Sequence, residues 1–497
     1  MIESEKLQKL YELWPAHANP CFYLAYSFVI YWIMEYYLKP SHLSTIVFQL
    51  LPQKNTSSTP CKTGDDINSK ITDKCIIDQP SSLFMNRLLI AFIFSVFLFV
   101  ATLHMQRIAE MHLFVILINY GKKALARDEY SDEMMLEAIY PMSSVCDIIP
   151  SVFIVGAKRT AFGTYGGSLK NFTAIDLAEF AGRAVLNETN TKPECIDHVI
   201  FGNVIQSSVD AIYLPRHVGL RLGVPENAPA LGVNRICGSG FQVIVNAAEQ
   251  ILLGESKFVL AGGTENMSQT PFAARNIRFG TQLGVKYELE DTLWACLNDP
   301  HINTTMAMTA ENLGAKYGVS RADADRFALR SQTLWKAVKQ SMKFFERESV
   351  KGISDGASAL LVAGEEAVSK YGLKPLARVV AWKAVGVDPN MMGIGPAPAI
   401  RSVLKKSGLT LQDIDLIEVN EAFAPQALAV QRELDLDEKK LNVSGGAISL
   451  GHPLAASGAR ISTHLIHEMK RRSVKYSIGS ACIGGGQGIA ILFENID

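Results

Sequence analysis

The chain lacks any appreciable net charge: 48 Lys and Arg stand against 49 Asp and Glu in 497 residues, a formal balance of −1. Nothing in that balance favours nucleic acid or an acidic surface as a partner. It also lacks paired cysteines of a recognisable kind. Eight are present, at 21, 61, 75, 146, 195, 237, 296 and 482, yet none form a CxxC pair and none stand at zinc spacing from a histidine. They read as free thiols of an intracellular protein rather than as a disulfide framework. The opening Met-Ile-Glu-Ser-Glu-Lys does not fit the Arg-rich, acid-poor pattern expected of an import presequence.

Residues 1–150 differ in kind from the rest. Residues 88–105 contain no Asp, Glu, Lys or Arg and are long enough to be a candidate membrane helix; residues 21–34 are apolar but shorter. Residues 53–79 read as a polar loop and residues 121–142 as a linking segment. Buried helices of a small domain are the alternative for the two apolar stretches.

From Val152 the pattern is that of an α/β protein. Val152-Phe-Ile-Val-Gly-Ala reads as a buried strand. Residues 173–186 read as a helix, with Ile175, Leu177, Phe180 and Val185 on its apolar face and Thr173 and Asp176 at its start. Strands at Ile196 and Lys257 have counterparts at Ile414 and Lys475. The interval from Asp197 to Lys257 is the same 60 residues as that from Asp415 to Lys475. Equal spacing of matched strand starts predicts a duplicated domain whose halves share a cleft.

Several glycine-bounded groups carry candidate chemistry. In Asn234-Arg-Ile-Cys237-Gly-Ser-Gly-Phe241 a cysteine sits on a turn entering a helix, where backbone N–H groups favour a thiolate. A small buried cysteine at a tight turn would look the same. Asn420 and Glu421 follow the strand at Ile414, where open α/β sheets place ligands, although Asn420 also suits a helix cap. His452, held between Gly451 and Pro453, has the fixed backbone of a general base. Cys482 precedes Ile483-Gly484-Gly-Gly-Gln-Gly, a run that can present N–H groups to an anion but also occurs in hairpins and nucleotide loops. A nucleophilic Cys, a held His, an Asn and a second Cys together suit acyl transfer, the second thiol having a use if a carbanion must be protonated.

In order along the chain, Asn234-Arg-Ile-Cys-Gly-Ser-Gly-Phe, Gly262-Gly-Thr-Glu-Asn-Met-Ser, Asn420-Glu-Ala-Phe-Ala, Gly451-His-Pro and Cys482-Ile-Gly-Gly-Gly-Gln-Gly resemble the thiolase family, most nearly its mitochondrial, degradative members. The resemblance covers residues 152–493. It implies the thiolase fold, with duplicated βαβαβαββ halves in five αβαβα layers behind an unrelated extension. The implied divisions are 1–150 (extension), 151–270 (N-terminal half), 271–350 (shortened loop domain and return) and 351–497 (C-terminal half). It also implies cleavage of a 3-ketoacyl-CoA by CoA to acetyl-CoA and a shortened acyl-CoA in β-oxidation. In that scheme Cys237 is the nucleophile, His452 its base and Cys482 the second acid and base. Asn420 holds a water in one oxyanion hole with His452, the N–H groups of Cys237 and Gly484 form the other, and Met306 and Met392 line the acyl pocket. CoA is a substrate, with no permanently bound cofactor and no metal. The implied partners are acyl-CoA, CoA and further copies of the chain in a homodimer or homotetramer, in a mitochondrion, with membrane association through the extension. Formation of acetoacetyl-CoA is the alternative activity. A membrane-tethered thiolase-like protein with impaired catalysis is the alternative from another class.

The chain departs from the family pattern in three places. Family members carry several tens of residues where this chain passes from Phe345 to Ser354, which predicts weakened contacts to CoA and a strand near Gly352 that loses its first residues. Ala455 replaces a usual glycine and Ser444 a usual asparagine, which predicts strain if φ is positive there.

Overall fold

The chain divides into a unit of residues 1–122 and one of residues 123–497, and the computed structural model describes residues 151–341 and 353–496, all within the second. The candidate membrane helix at 88–105, the stretch at 21–34, the polar loop and the linker lie outside the described residues. Among the described residues no helix is long and apolar enough to cross a membrane.

The first half begins with β1 (Val152–Arg159) and the two-residue β2 (Gly163–Thr164), followed by α1 (Ala174–Glu188). Thr173 and Asp176 close a reciprocal cap at the start of α1: the Asp176 N–H donates to Thr173 Oγ1 and the Thr173 N–H to Asp176 Oδ2. Ile175, Leu177 and Val185 are buried as the periodicity predicts, but Phe180 is 46% exposed. It falls off the stripe through Leu177 and Ala181, and its ring rests edge-on against Phe172.

Next come β3 (His198–Gly202), α2 (Leu214–Leu222), β4 (Ala230–Val233), α3 (Ser239–Leu252) and β5 (Phe258–Asn266). The loop region holds two small hairpins, β6 (Phe272–Ala274) with β7 (Leu289–Asp291) and β8 (Asn298–Asp299) with β9 (Thr304–Thr305). It also holds α4 (Thr292–Cys296), α5 (Met306–Lys316) and α6 (Arg321–Ser341). The chain returns through β10 (Ser354–Gly364) and α7 (Glu365–Tyr371), then β11 (Ala377–Gly386), α8 (Pro396–Ser407), β12 (Leu416–Val419) and α9 (Ala424–Leu434). The last elements are α10 (Ala447–Leu450), α11 (Leu454–Arg472), β13 (Tyr476–Ile483) and β14 (Gln487–Asn495).

The main strands run in the order β12-β13-β14-β11-β1-β10-β5-β3-β4, with β2 on β10. Read outward from the β1–β11 seam, β1-β10-β5-β3 and β11-β14-β13-β12 repeat one pattern: two antiparallel pairings, then a parallel one. The seam itself pairs only Phe153 with Arg378 and Ile154 with Ala377, so two sheets meet edge to edge rather than forming one broad surface. The repeated 60-residue interval has a physical cause. Asp197 accepts from the N–H groups of Lys257 and Phe258, and Asp415 accepts from those of Lys475 and Tyr476. One carboxylate in each half thus ties the start of a parallel strand to its neighbour.

Three apolar layers fill the spaces. One lies outside the first sheet under α1 and α2, one outside the second under α8, and the central one holds residues of α3 and α11 with strands of both halves. These layers and the two sheets make the five-layer arrangement expected of the resemblance.

One expectation about β10 changes. Residues 354–364, assigned from sequence to the C-terminal half, lie between β1 and β5 of the first half. From Ser354 onward the strand is buried along all eleven residues and paired with β5 from Asp355 to Ala363, while Gly352, where a loss was expected, lies outside the described residues. Its start is held by Asp355, which accepts from the N–H and Oγ of Ser268.

The central helices cross backbone to backbone. A Cβ on Gly240 would meet Ala459 N at 2.4 Å and Ala455 O at 2.6 Å, and one on Gly458 would meet Phe241 N at 2.3 Å. Backbone atoms cannot rotate aside as a side chain can. Gly240→Ala and Gly458→Ala should therefore each lower stability by about 3 kcal/mol, as read from urea melts. A loss below about 1 kcal/mol would show that the crossing is looser than this.

Candidate active site

The nucleophile candidate stands on a strained elbow. Ile236, immediately before Cys237, has φ +46°, a region that a β-branched residue enters only when its surroundings impose it. Those surroundings are the motif's own polar residues. Asn234 Oδ1 accepts from the Ile236 N–H at 3.0 Å, while Ser239 Oγ donates to Ile236 O at 2.7 Å and accepts from the Arg235 N–H at 2.8 Å. The thiol is 9% exposed, packed among Ile205, Met267, Leu293 and Leu454 at the start of α3. Burial pushes it up to about 12, against the opposing pull of the Gly484 N–H and its own N–H. The helix start does not by itself produce a thiolate here, contrary to the reading from sequence. Desolvation of the charged form outweighs it.

His452 arrives from the other half. Gly451, at φ +99°, turns the chain so that Pro453 can lead into α11. The loop before it is anchored on Glu421, whose carboxylate accepts from Ser331 Oγ at 2.7 Å, Asn442 Nδ2 at 2.9 Å and the Ile448 N–H at 3.1 Å. The His452 ring is gripped at Nδ1 by Ser457 Oγ at 2.6 Å, and Asn420 Nδ2 stands 3.4 Å from each ring nitrogen. A proton on Nδ1, donated to Ser457, leaves Nε2 as the ring's acceptor, facing the Asn420 amide. Burial, then the charge of Arg460, lowers His452 to about 4, so the ring is a neutral base near pH 7.

Asn420 directly follows β12, fully buried, with its own N–H donating to Ser480 O at 2.9 Å. It does not cap a helix, since α9 begins only at Ala424. Its Oδ1 has no partner among the described atoms, an unmet acceptor beside the histidine ring that suits a water. Cys482, fully buried in β13, is pushed up by burial and by the neighbouring Cys237. Both cysteines are free thiols. Met306 reaches Gly484, its Sδ lying 3.4 Å from where a Cβ on that glycine would stand. Met392 is buried at 2% exposure in the turn Pro389–Ile394, with no contact described to either thiol.

Cys237, Cys482 and Gly484 thus lie together where the two halves join, His452 and Asn420 lie together after β12, and Leu454, two residues past His452, packs in the cluster of Cys237. Neither departure near the base strains the backbone. Ala455 and Ser444 are not among the positive-φ residues, that role in the loop falling to Asn442 and Gly445, and the Ala455 N–H donates to Glu265 at 3.1 Å. Ser457, Asn234 and Glu265 were not picked out from sequence. Ser457 lies within an otherwise ordinary helix start, and the only available signal was a polar residue on a face that must be buried. A cleft of about 700 Å³ lined by Val155, Cys195, Phe258, Tyr371 and His467 shares none of these side chains. Among the described residues no group of three or more His, Cys, Asp or Glu is placed to hold a metal.

A duplicated α/β fold in which one half brings Cys237 beside Cys482 and Gly484 of the other, with a neutral His452 on that same second half, suits a cysteine-dependent acyltransferase. The models of the thiolase N-terminal and C-terminal domains match residues 152–351 and 373–495, and the chain belongs to the thiolase family. It is 52% identical over 393 residues to the mitochondrial 3-ketoacyl-CoA thiolase of Bos taurus, covering 70% of this chain and 99% of that protein. The crystal structure of human mitochondrial 3-ketoacyl-CoA thiolase superposes with a TM-score of 0.68 at 50% identity, over 70% of this chain and 100% of that one. Its complex with CoA gives the same TM-score at 51% identity, over 70% and 98%. An alignment of 393 positions that takes up 70% of 497 residues means that the bovine protein carries several tens of residues this chain lacks, in agreement with the short passage before Ser354.

Because the raised thiol ionises only when base is supplied, alkylation of Cys237 by iodoacetamide should keep accelerating from pH 7 to about 10. A plateau below pH 7, measured by mass spectrometry of the Cys237 peptide, would mean a stable resting thiolate instead.

Proposed function

We propose that this protein is an acetyl-CoA C-acyltransferase that cleaves 3-ketoacyl-CoA with CoA in mitochondrial fatty-acid β-oxidation. The observation that carries the proposal is the pairing of Cys237 with Cys482 and Gly484 and of His452 with Asn420 and Ser457, set in a family member about half identical to mitochondrial 3-ketoacyl-CoA thiolases. Cys237 Sγ attacks the 3-keto carbon as His452 Nε2 takes its proton. The Cys237 and Gly484 N–H groups, which already point at the sulfur, are suited to hold the oxyanion at one carbonyl, and a water on Asn420 Oδ1 with His452 is suited to the other. The C2–C3 bond breaks, its electron pair passes to the acetyl-CoA enolate, and Cys482 protonates C2. The Cys482 thiolate then deprotonates an incoming CoA, whose sulfur takes the acyl group while Cys237 recovers its proton from His452.

The pushed-up Cys482 suits this work, because a thiol that holds its proton tightly is stable until a carbanion forms beside it. Met306, beside Gly484, is placed to touch the acyl chain; Met392 would support that wall from the core behind it. In this reading CoA enters and leaves as substrate. We also infer at least a homodimer. The outermost strand β4 leaves Leu231 41% exposed, an unpaired edge with an apolar side chain that a second copy would cover.

Incubation with a 3-ketoacyl-CoA should give a stoichiometric burst of acyl-enzyme on Cys237 that Cys237→Ser abolishes. Absence of the burst would favour a non-catalytic scaffold, and activity confined to four-carbon substrates would favour acetoacetyl-CoA formation. The missing segment predicts a KM for CoA on the order of tenfold above that of a full-length relative, with the acylation step less affected. An unchanged KM would show that the segment contributes nothing to CoA binding.

A further inference from the structure

Behind the proposed base lies an ionic cluster with no part in the chemistry above. The Arg460 side chain is 2% exposed and is paired with Glu418, itself 1% exposed. The other Glu418 oxygen meets His464 Nδ1 at 2.5 Å. Arg460 Nε and Nη2 have no acceptor among the described atoms. Arg159 adds a second guanidinium, lowered to about 10 by burial and then by repulsion from Arg460. Two guanidinium groups thus face one carboxylate, held ionised by Arg460 and His464 against its burial. A buried pair of this kind adds little to stability over a well-packed apolar replacement.

The cluster's place in the fold is more informative than its energy. Glu418 lies in β12, two residues before Asn420, and Arg460 lies in α11, one turn after Ser457. Asn420 and Ser457 are the two side chains that grip His452. We propose that Arg460 is a positioning residue for His452: its pair with Glu418 fastens the strand of Asn420 to the helix of Ser457, and the cluster, with two guanidinium groups on one carboxylate, sets an excess of positive charge behind the imidazole. Positive charge there opposes a second proton on the ring and so keeps the base free, in the direction that burial also works.

The other ionisable groups around the ring do not replace this effect. Cys237 and Cys482 come from α3 and β13 as neutral thiols, both pushed up by burial. Glu265 approaches through the Ala455 N–H and is raised by burial to about 7, and Glu421, behind Asn420, is raised as well. Both carboxyls therefore lose charge as the pH falls.

This inference rests on His452 being the base, so its test includes a reading that needs no turnover. Neutral imidazole is lost as the pH falls through the His452 pKa, and removing the Arg460 charge raises that pKa. The acid limb of thiolysis should therefore lie about one pH unit higher in E418Q/R460M than in E418Q, which keeps the guanidinium. R460K, which keeps charge without the planar fork, should lose rate with its acid limb in place. Coincident limbs in E418Q and E418Q/R460M would overturn the proposal. Should the double variant not fold, the His452 ring signal of isotope-labelled E418Q and wild-type proteins decides: the ring should titrate at lower pH in E418Q, where the guanidinium has lost its carboxylate, and an unchanged titration would overturn the proposal. An inactive wild type whose ring shows that difference would instead remove the assigned reaction and leave this inference standing.

Discussion

The close crossing of α3 and α11 at Gly240 and Gly458 is the contact on which the rest of the molecule depends. Cys237 lies just ahead of the first of these helices and His452 just ahead of the second. Their separation is therefore set by how near two backbones can come. Any side chain at the crossing would push both helix starts apart, and with them the thiol and the ring. The two sheets, joined only by a short seam, then act as outer walls that hold the pair of helices in place.

Burial sets the chemical character of the site more than any single charge does. It raises both thiols and lowers the histidine, so the resting state is uncharged: two thiols and a neutral ring. Charge has to appear as substrate reacts, where fixed N–H groups and an unmet amide oxygen wait for it. The carboxylates nearby serve as anchors. Glu421 collects donors from three segments, and Glu265 accepts from Asn203, Val204, Ile205 and Ala455, tying β5 to the start of α11.

The missing segment before Ser354 falls outside this frame. The sheet does not need it, because β10 is held by β1 and β5 along its length and by Ser268 at its start. Ile353 still packs against the cluster around Cys237. Under the proposed function, the shortened connection bears on how CoA is gripped rather than on how the thiol is placed.

Much of this was legible in the sequence. Strand starts, the Thr173 cap, the equal spacing of Asp197–Lys257 and Asp415–Lys475, and the ordered motifs are local patterns, and local patterns determine elements and their repetition. Residues 234–239 even carry the groups that strain their own elbow. The tertiary structure decided the rest, because it depends on which distant segments meet. Only packing shows that β10 belongs to the first half, that Phe180 faces outward, that Ala455 is unstrained, and that Ser457 and Arg460 stand beside and behind the histidine. Only packing, too, turns a cysteine at a helix start into a neutral thiol, since desolvation is a property of everything around a group and not of its neighbours along the chain.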